Sequence, residues 1–156
     1  MERDILKKAT ILPTTGHCLC NAITFAYDAP VNWCAHCHCE SCRRQTASPF
    51  TTFVSVPTER FAWTKGTPAI FSSSPGVTRS FCRDCGTPLA YENDAYPGEI
   101  HLYLATLDAD ATLPSPGRHD FWAERVPWVT VDDRLPKDDG DDRDDAAERG
   151  ETDRAD

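Results

Sequence analysis

Eight cysteines and their spacing constrain the fold of this 156-residue chain more than any other feature. They form a C-x-C, a C-x2-C-x-C-x2-C and a C-x2-C group: Cys18 and Cys20; Cys34, Cys37, Cys39 and Cys42; Cys82 and Cys85. Such short spacings are typical of metal chelation, whereas disulfide partners are usually scattered. Because the sequence has neither 18 consecutive apolar residues nor a signal-peptide core, we expect a soluble, cytoplasmic protein with reduced thiols.

The apolar pattern predicts a mainly β fold of many short strands with very little helix. Residues 17–28 alternate as in a strand, with Leu19, Ile23, Phe25 and Tyr27 on one face and Cys18 and Cys20 on the other. Further strands are predicted over residues 51–56, 69–73, 77–81, 88–92 and 99–105. Short helical turns are expected only at 40–46 and 121–125.

The charge is concentrated at the C-terminus. Residues 136–156 contain eight Asp and two Glu against four basic residues, and they carry −6 of the net charge of −9. These residues include no aromatic or branched apolar side chain that could be buried, so we expect an acidic disordered tail. The predicted organisation is therefore a lead-in over 1–15, one folded domain over 16–135 and the tail. An acidic chain without a basic patch also argues against nucleic-acid binding as its function.

Strands this short leave a thin core, and a metal that fastens distant loops would compensate for it. The C-x-C pair and the final C-x2-C pair lie about sixty residues apart. One tetrahedral zinc with four thiolates would join them, through Cys18, Cys20, Cys82 and Cys85. The stretch FCRDCGT resembles a zinc knuckle, in which Gly86 lets backbone N–H groups approach the thiolates.

Four segments occur in an order and at spacings similar to those of one known family: GHCLCNAITF, CHCESCRRQTASPF, FCRDCGTPLAY and HDFWAERVPW. On these motifs the chain resembles the glutathione-dependent formaldehyde-activating enzymes, a family also known from centromere protein V. The resemblance spans residues 16 to about 133. It implies a zinc-pinned β-sandwich similar to the B-type methionine sulfoxide reductases. It also implies two zincs per chain: a structural one on Cys18, Cys20, Cys82 and Cys85, and a catalytic one on Cys37, Cys39 and Cys42.

The activity implied by the resemblance is that of a carbon-sulfur lyase or synthase. Its substrates would be thiol adducts of small electrophiles, such as S-hydroxymethylglutathione formed from glutathione and formaldehyde. A small thiol is thus the expected partner, no membrane or nucleic-acid partner is expected, and the sequence leaves the oligomeric state open. The alternative is a non-catalytic, zinc-stabilised binding module with two closed four-cysteine sites.

Two departures from the family pattern bear on this choice. Cys34 is an additional cysteine, and a fourth thiolate would close a site that three thiolates leave open for substrate. We predict that Cys34 is a packed thiol and not a ligand. The other departure is Ala47, which stands where the family commonly has glycine and gives the backbone less conformational freedom.

Three further residues are candidate substrate contacts. Arg43 and Arg44 follow the last cysteine of the cluster and could attract a carboxylate-bearing thiol, although adjacent arginines are often only solvated. His119 is either a general acid or base or a hydrogen-bonded structural histidine. For His36 and His38, which lie between the cysteines, we expect supporting roles and not ligation.

Overall fold

The computed structural model describes residues 13–28, 30–108 and 113–140. Most of the predicted lead-in (1–12) and of the predicted tail (141–156) lies outside these residues. The described part contains one seven-residue helix, α1 (Glu40–Thr46), and short 3-10 helices at Thr58–Arg60, Leu104–Thr106 and Trp122–Glu124. Its strands are β1 (Thr14–His17), β2 (Thr24–Tyr27), β3 (Trp33–Cys37), β4 (Thr51–Pro57), β5 (Phe61–Lys65), β6 (Ala69–Ser74), β7 (Val77–Phe81), β8 (Pro88–Asn93), β9 (Glu99–Tyr103) and β10 (His119–Asp120).

The strands form two sheets. The smaller one has the order β1-β2-β5, and the larger one has the order β10-β3-β4-β9-β8-β7-β6. All pairings are antiparallel except that of β10 with β3, which places His119 beside His36 and Asp120 beside Cys37. The mainly β prediction with very little helix is confirmed.

Both sheets contribute to one hydrophobic core. Ile23, which directly precedes β2, and Phe25, which lies in β2, cluster with Val54, Leu89 and Leu102 from the larger sheet. Each of these side chains is at least 95% buried, and such burial contributes about 1.5–3 kcal/mol per large apolar residue. The apolar faces of the two sheets therefore pack on each other, as in a sandwich.

Several predicted boundaries agree closely with the structure. The predicted helical turn at 40–46 is α1, and the strand predicted at 77–81 is β7. The single strand predicted over 17–28 is wrong, because residues 18–23 form a turn between β1 and β2. Leu19 lies in that turn with 83% of its surface exposed, so it does not share the buried face of Ile23 and Phe25.

The segment 136–140 is part of the described fold although its composition placed it in the tail. Pro136 O accepts a hydrogen bond from His119 N, and Asp138 N donates one to His119 O. Gly140 O accepts a further bond from Phe121 N. These bonds continue the pairing at β10, so residues 136–140 belong to the described fold, and at the other end β1 begins at Thr14. In the described segments, no helix has the length and apolar character needed to span a membrane.

Candidate metal and active site

One cysteine group links the two sheets. Cys18 and Cys20 lie in the turn after β1, whereas Cys82 and Cys85 lie in the turn between β7 and β8. The Cys20 sulfur is 3.6 Å from that of Cys18 and 3.7 Å from that of Cys82, and all four sulfurs lie within 4.8 Å of one another. All eight cysteines are described and free of disulfides. The four thiols can therefore hold a metal ion that joins the sheets.

The backbone around this group is folded toward the sulfurs. Ile23 N donates to Cys18 Sγ over 3.3 Å. Gly86 has a φ of +75°, which favours glycine, and its N–H bonds to Cys82 O. Thr87 Oγ1 lies 3.2 Å from Cys85 Sγ, and its hydrogen bond helps to lower the pKa of Cys85 to about 5. A thiolate is thus favoured at Cys85 near neutral pH.

A second group contains Cys37, Cys39 and Cys42, whose sulfurs also lie within 4.8 Å of one another. Cys37 ends β3, Cys39 is the N-cap of α1, and Cys42 is the buried residue of α1. Cys37 Sγ donates to Cys39 Sγ over 3.4 Å, and Cys42 N donates to the same sulfur. Hydrogen bonds from Cys37 and Cys42 lower the pKa of Cys39 to about 3. This group, called the three-cysteine cluster below, is suited to holding a metal ion.

Cys34 lies apart from the three-cysteine cluster. Successive side chains of a strand point to opposite faces, so Cys34 and Cys37 lie on different faces of β3. Cys34 packs into the core shared by both sheets, whereas Cys37 packs with Cys42, Phe53 and Tyr103. Burial raises the pKa of Cys34 to about 11. A closed site in which Cys34 joins the three-cysteine cluster as a fourth ligand would require Cys34 to leave the core.

The three-cysteine cluster lines a cavity of about 320 Å³. This volume is at the lower end of the range for small-ligand pockets. Aromatic side chains form much of the remaining wall: Trp33, Phe53, Tyr91, Tyr96 and Phe121. The polar residues of the wall include Arg79, His101 and Asp120, which come from β7, β9 and β10.

Arg79 is a functional candidate that the sequence did not reveal. It is only 4% exposed, and its Nη1 lies 3.9 Å from Cys42 Sγ and 3.5 Å from Tyr103 Oη. Tyr103 Oη in turn donates to Gln45 Oε1 over 2.6 Å. Arg79 is separated from α1 by more than thirty residues in the sequence, and no motif pointed to it. The signal available was an arginine within a predicted strand directly before the C-x2-C pair.

His101 and Asp120 are two further candidates: no motif pointed to His101, whereas Asp120 lies in the HDFWAERVPW motif beside His119 and was not singled out. His101 is buried, and its Nε2 lies 3.0 Å from Glu99 Oε2, which also accepts hydrogen bonds from Ser55 and Trp33. Asp120 is 4% exposed and pairs with Arg118 at 2.7 Å. Both side chains are held in place by charged or polar neighbours at the cavity wall.

The three predicted substrate contacts lie elsewhere. Arg44 is exposed and pairs with Glu40, and Arg43 Nε donates to His38 O. His119 is fully buried. Within the described segments, none of these three arginine and histidine residues lines the cavity of the three-cysteine cluster.

His119 belongs to a hydrogen-bonded chain behind that cluster. Its Nε2 donates to Asp133 Oδ2 over 2.9 Å, and its Nδ1 lies 2.8 Å from His38 Nε2. His36 faces Thr52 Oγ1 at 2.8 Å. The ring nitrogens of His36 and His119 and the Asp133 carboxylate also lie close enough to hold a cation, but Lys137 Nζ already pairs with Asp133. These hydrogen bonds fix His38, which lies between Cys37 and Cys39, and so support the backbone of the three-cysteine cluster.

The fold and these sites define a class: a small β protein that joins two sheets through a four-thiol group and places three more thiols in an aromatic-walled cavity. The family model described as glutathione-dependent formaldehyde-activating enzyme matches residues 13–124. A Schizosaccharomyces pombe protein described as an uncharacterized lyase is 32% identical over 127 residues, covering 76% of this chain and 91% of that protein.

The crystal structure of a Rhodobacter sphaeroides protein, a structural genomics target, has a similar fold. Its TM-score is 0.53 at 18% identity, and the match covers 63% of this chain and 91% of that one. This likeness concerns the fold alone. With the match over residues 13–124, the chain belongs to the glutathione-dependent formaldehyde-activating enzyme family.

Proposed function

We propose that this chain is a zinc-dependent carbon-sulfur lyase acting on thiol adducts of small electrophiles. The reaction to test first is the formation and cleavage of S-hydroxymethylglutathione. The carbon-sulfur bond forms between the thiol sulfur and the formaldehyde carbon, and the thiol proton ends on the former carbonyl oxygen. Since no electrons are gained or lost, the reaction needs neither an oxidant nor a reductant.

The observation that carries this proposal is the position of the three-cysteine cluster in the wall of the cavity, with Cys34 on the other face of β3. Three thiolates leave one position of a tetrahedral zinc for substrate, whereas four would fill it. The membership of the family and the lyase description of the S. pombe relative support the same reaction class.

Sulfur spacing supports zinc as the metal. Four sulfurs at about 2.3 Å from one zinc lie about 3.8 Å apart at the corners of a tetrahedron. The distances of 3.6 and 3.7 Å from Cys20 to Cys18 and Cys82 are close to this value. We therefore assign one structural zinc to Cys18, Cys20, Cys82 and Cys85, and a second zinc to the three-cysteine cluster.

A zinc ion bound by Cys37, Cys39 and Cys42 would lower the pKa of a substrate thiol or polarise a carbonyl oxygen. The side chains of the cavity have complementary roles. The aromatic wall limits the access of water, and Arg79 offsets the negative charge of the thiolates beside Cys42. The closed alternative, a binding module with two four-cysteine sites, is disfavoured because Cys34 lies within the core.

The test is the rate at which glutathione exchanges with its hydroxymethyl adduct, measured by NMR with formaldehyde present. We expect the zinc-loaded wild-type protein to accelerate the exchange and Cys39→Ser to reduce it to the uncatalysed rate. Cys34→Ala is the matched control, since it removes a thiol outside the cavity, and it should retain the activity. If the wild-type protein produces no acceleration, the formaldehyde reaction is wrong for this chain.

A further inference from the structure

We propose that Arg79 binds a carboxylate of the thiol substrate, so that the enzyme selects thiols that carry an acid group. The inference rests on the proposed function, because it assigns the substrate sulfur to the cavity lined by the three-cysteine cluster. Glutathione meets this requirement, and smaller acid thiols do as well.

The first argument is the charge of Arg79. A buried guanidinium is normally paired with a carboxylate. Arg79 is 4% exposed, and no ion pair joins it to an acidic residue of the segments that the structure describes. Asp120 lines the same cavity, but it pairs with Arg118. A substrate carboxylate would supply the carboxylate partner that the described fold does not provide, in addition to the thiolate charge at Cys42.

The second argument is the orientation of the guanidinium group. Its Nε donates to Ser73 Oγ over 3.1 Å, and its Cζ lies 5.0 Å from the centre of the Tyr91 ring. Nη1 is directed to Tyr103 and Cys42, whereas Nη2 has no hydrogen-bond partner among residues 13–28, 30–108 and 113–140. The group is therefore held on one edge and one face, and it retains donor capacity for a planar anion.

The third argument is distance. Nη1 lies only 3.9 Å from Cys42 Sγ, so an anion on Arg79 would lie next to a sulfur bound at the three-cysteine cluster. Mercaptoacetate, whose carboxylate is bonded directly to its thiol-bearing carbon, is short enough to place both groups in a cavity of about 320 Å³. Arg43 and Arg44, the arginines that the sequence suggested, do not line this cavity.

The experiment compares two thiols that differ in charge, mercaptoacetate and 2-mercaptoethanol. Their dissociation constants are measured by titration calorimetry on the zinc-loaded wild-type protein, Arg79→Gln and the control Arg44→Gln, whose arginine is exposed. A charged hydrogen bond is worth about 1.5–3 kcal/mol, so wild type and Arg44→Gln should bind mercaptoacetate about tenfold or more tightly than 2-mercaptoethanol. Arg79→Gln should bind the two thiols with similar affinity.

Equal binding of both thiols by the wild-type protein would overturn the proposal. The proposal would also be overturned if Arg79→Gln lost affinity for both thiols to the same extent, because Arg79 would then only support the cysteine thiolates. If Arg79→Gln does not fold, Arg79→Lys replaces it, and an unchanged preference for mercaptoacetate in a folded Arg79→Lys would count against a planar two-donor contact. Binding is measured without turnover, so failure of the formaldehyde reaction does not affect this result.

Discussion

Cys20→Ser tests the role of the four-thiol group with little disturbance of the core. Cys20 is exposed, so its replacement opens no buried cavity, unlike the replacement of Cys18 or Cys82. Its sulfur nevertheless lies 3.7 Å from that of Cys82, which is 62 residues away in the chain. A zinc on these sulfurs would act as a crosslink between the turn after β1 and the turn after β7.

The expected magnitude follows from the loop that this crosslink closes. In the chain-entropy description of a crosslink, a loop of 62 residues corresponds to about 4 kcal/mol at 25 °C. With about 2.1 cal/mol/K of unfolding entropy per residue, a loss of this size lowers the melting temperature by about 15 °C for the roughly 120 residues that the structure describes. This fall in melting temperature applies if the variant loses the metal completely. If zinc stays bound to the three remaining thiolates, the fall is smaller.

The assay is thermal unfolding by circular dichroism, combined with metal content. Cys20→Ser should melt well below wild type and lose about one zinc per chain, and a chelator should lower the melting temperature of wild type more than that of the variant. Leu19→Ala is the control, because Leu19 is 83% exposed in the same turn and its replacement should cost less than about 0.5 kcal/mol. A melting temperature within about 2 °C of wild type, with two zincs retained, would refute the crosslink.

The remaining predictions concern other parts of the chain. Ala47 has a φ of +50°, so Ala47→Gly should raise the free energy of unfolding by about 1 kcal/mol in denaturant titrations, and a decrease would contradict this reasoning. Burial raises the pKa of Cys34 to about 11, so the stability that its neutral thiol provides is complete below pH 9 and is lost as the pH rises through about 11. Cys34→Ala should therefore weaken the alkaline decline in melting temperature while both metals remain bound. Truncation after Gly140 should leave the melting temperature unchanged, whereas truncation after Leu135 should lower it, because the hydrogen bonds of residues 136–140 with β10 and Phe121 would be lost. Equal melting temperatures for the two truncated proteins would show that these bonds contribute little.

The sequence predicted those parts of the fold that depend on local pattern. β7 and α1 were predicted at their observed bounds: Gly76 directly precedes β7, and Pro49 follows α1 within three residues. β3 was not predicted as a strand, because its WCAHC sequence contains neither a branched apolar residue nor a simple alternation. Its strand conformation comes from pairing with β4 and β10, which are distant in sequence.

The candidate site divides in the same way. The two groups of thiols were found because metal ligands occur at short spacings within one turn. Arg79 and His101 were not found, because each lies on a separate strand and reaches the cavity only through the order of the large sheet. The composition of residues 136–140 resembles that of a tail, and only the hydrogen bonds to His119 and Phe121 and their neighbours distinguish this segment.

X-ray absorption on the zinc-loaded wild-type protein tests most directly whether the three-cysteine cluster holds an open metal site. One closed site with four sulfurs and one open site with three predict an average of about 3.5 sulfurs per zinc, with oxygen or nitrogen completing the coordination. Cys34→Ala should give the same average and the same metal content. If each zinc of the wild-type protein has four sulfur ligands, and this number falls in Cys34→Ala, the result would contradict an open site and would favour the closed binding module.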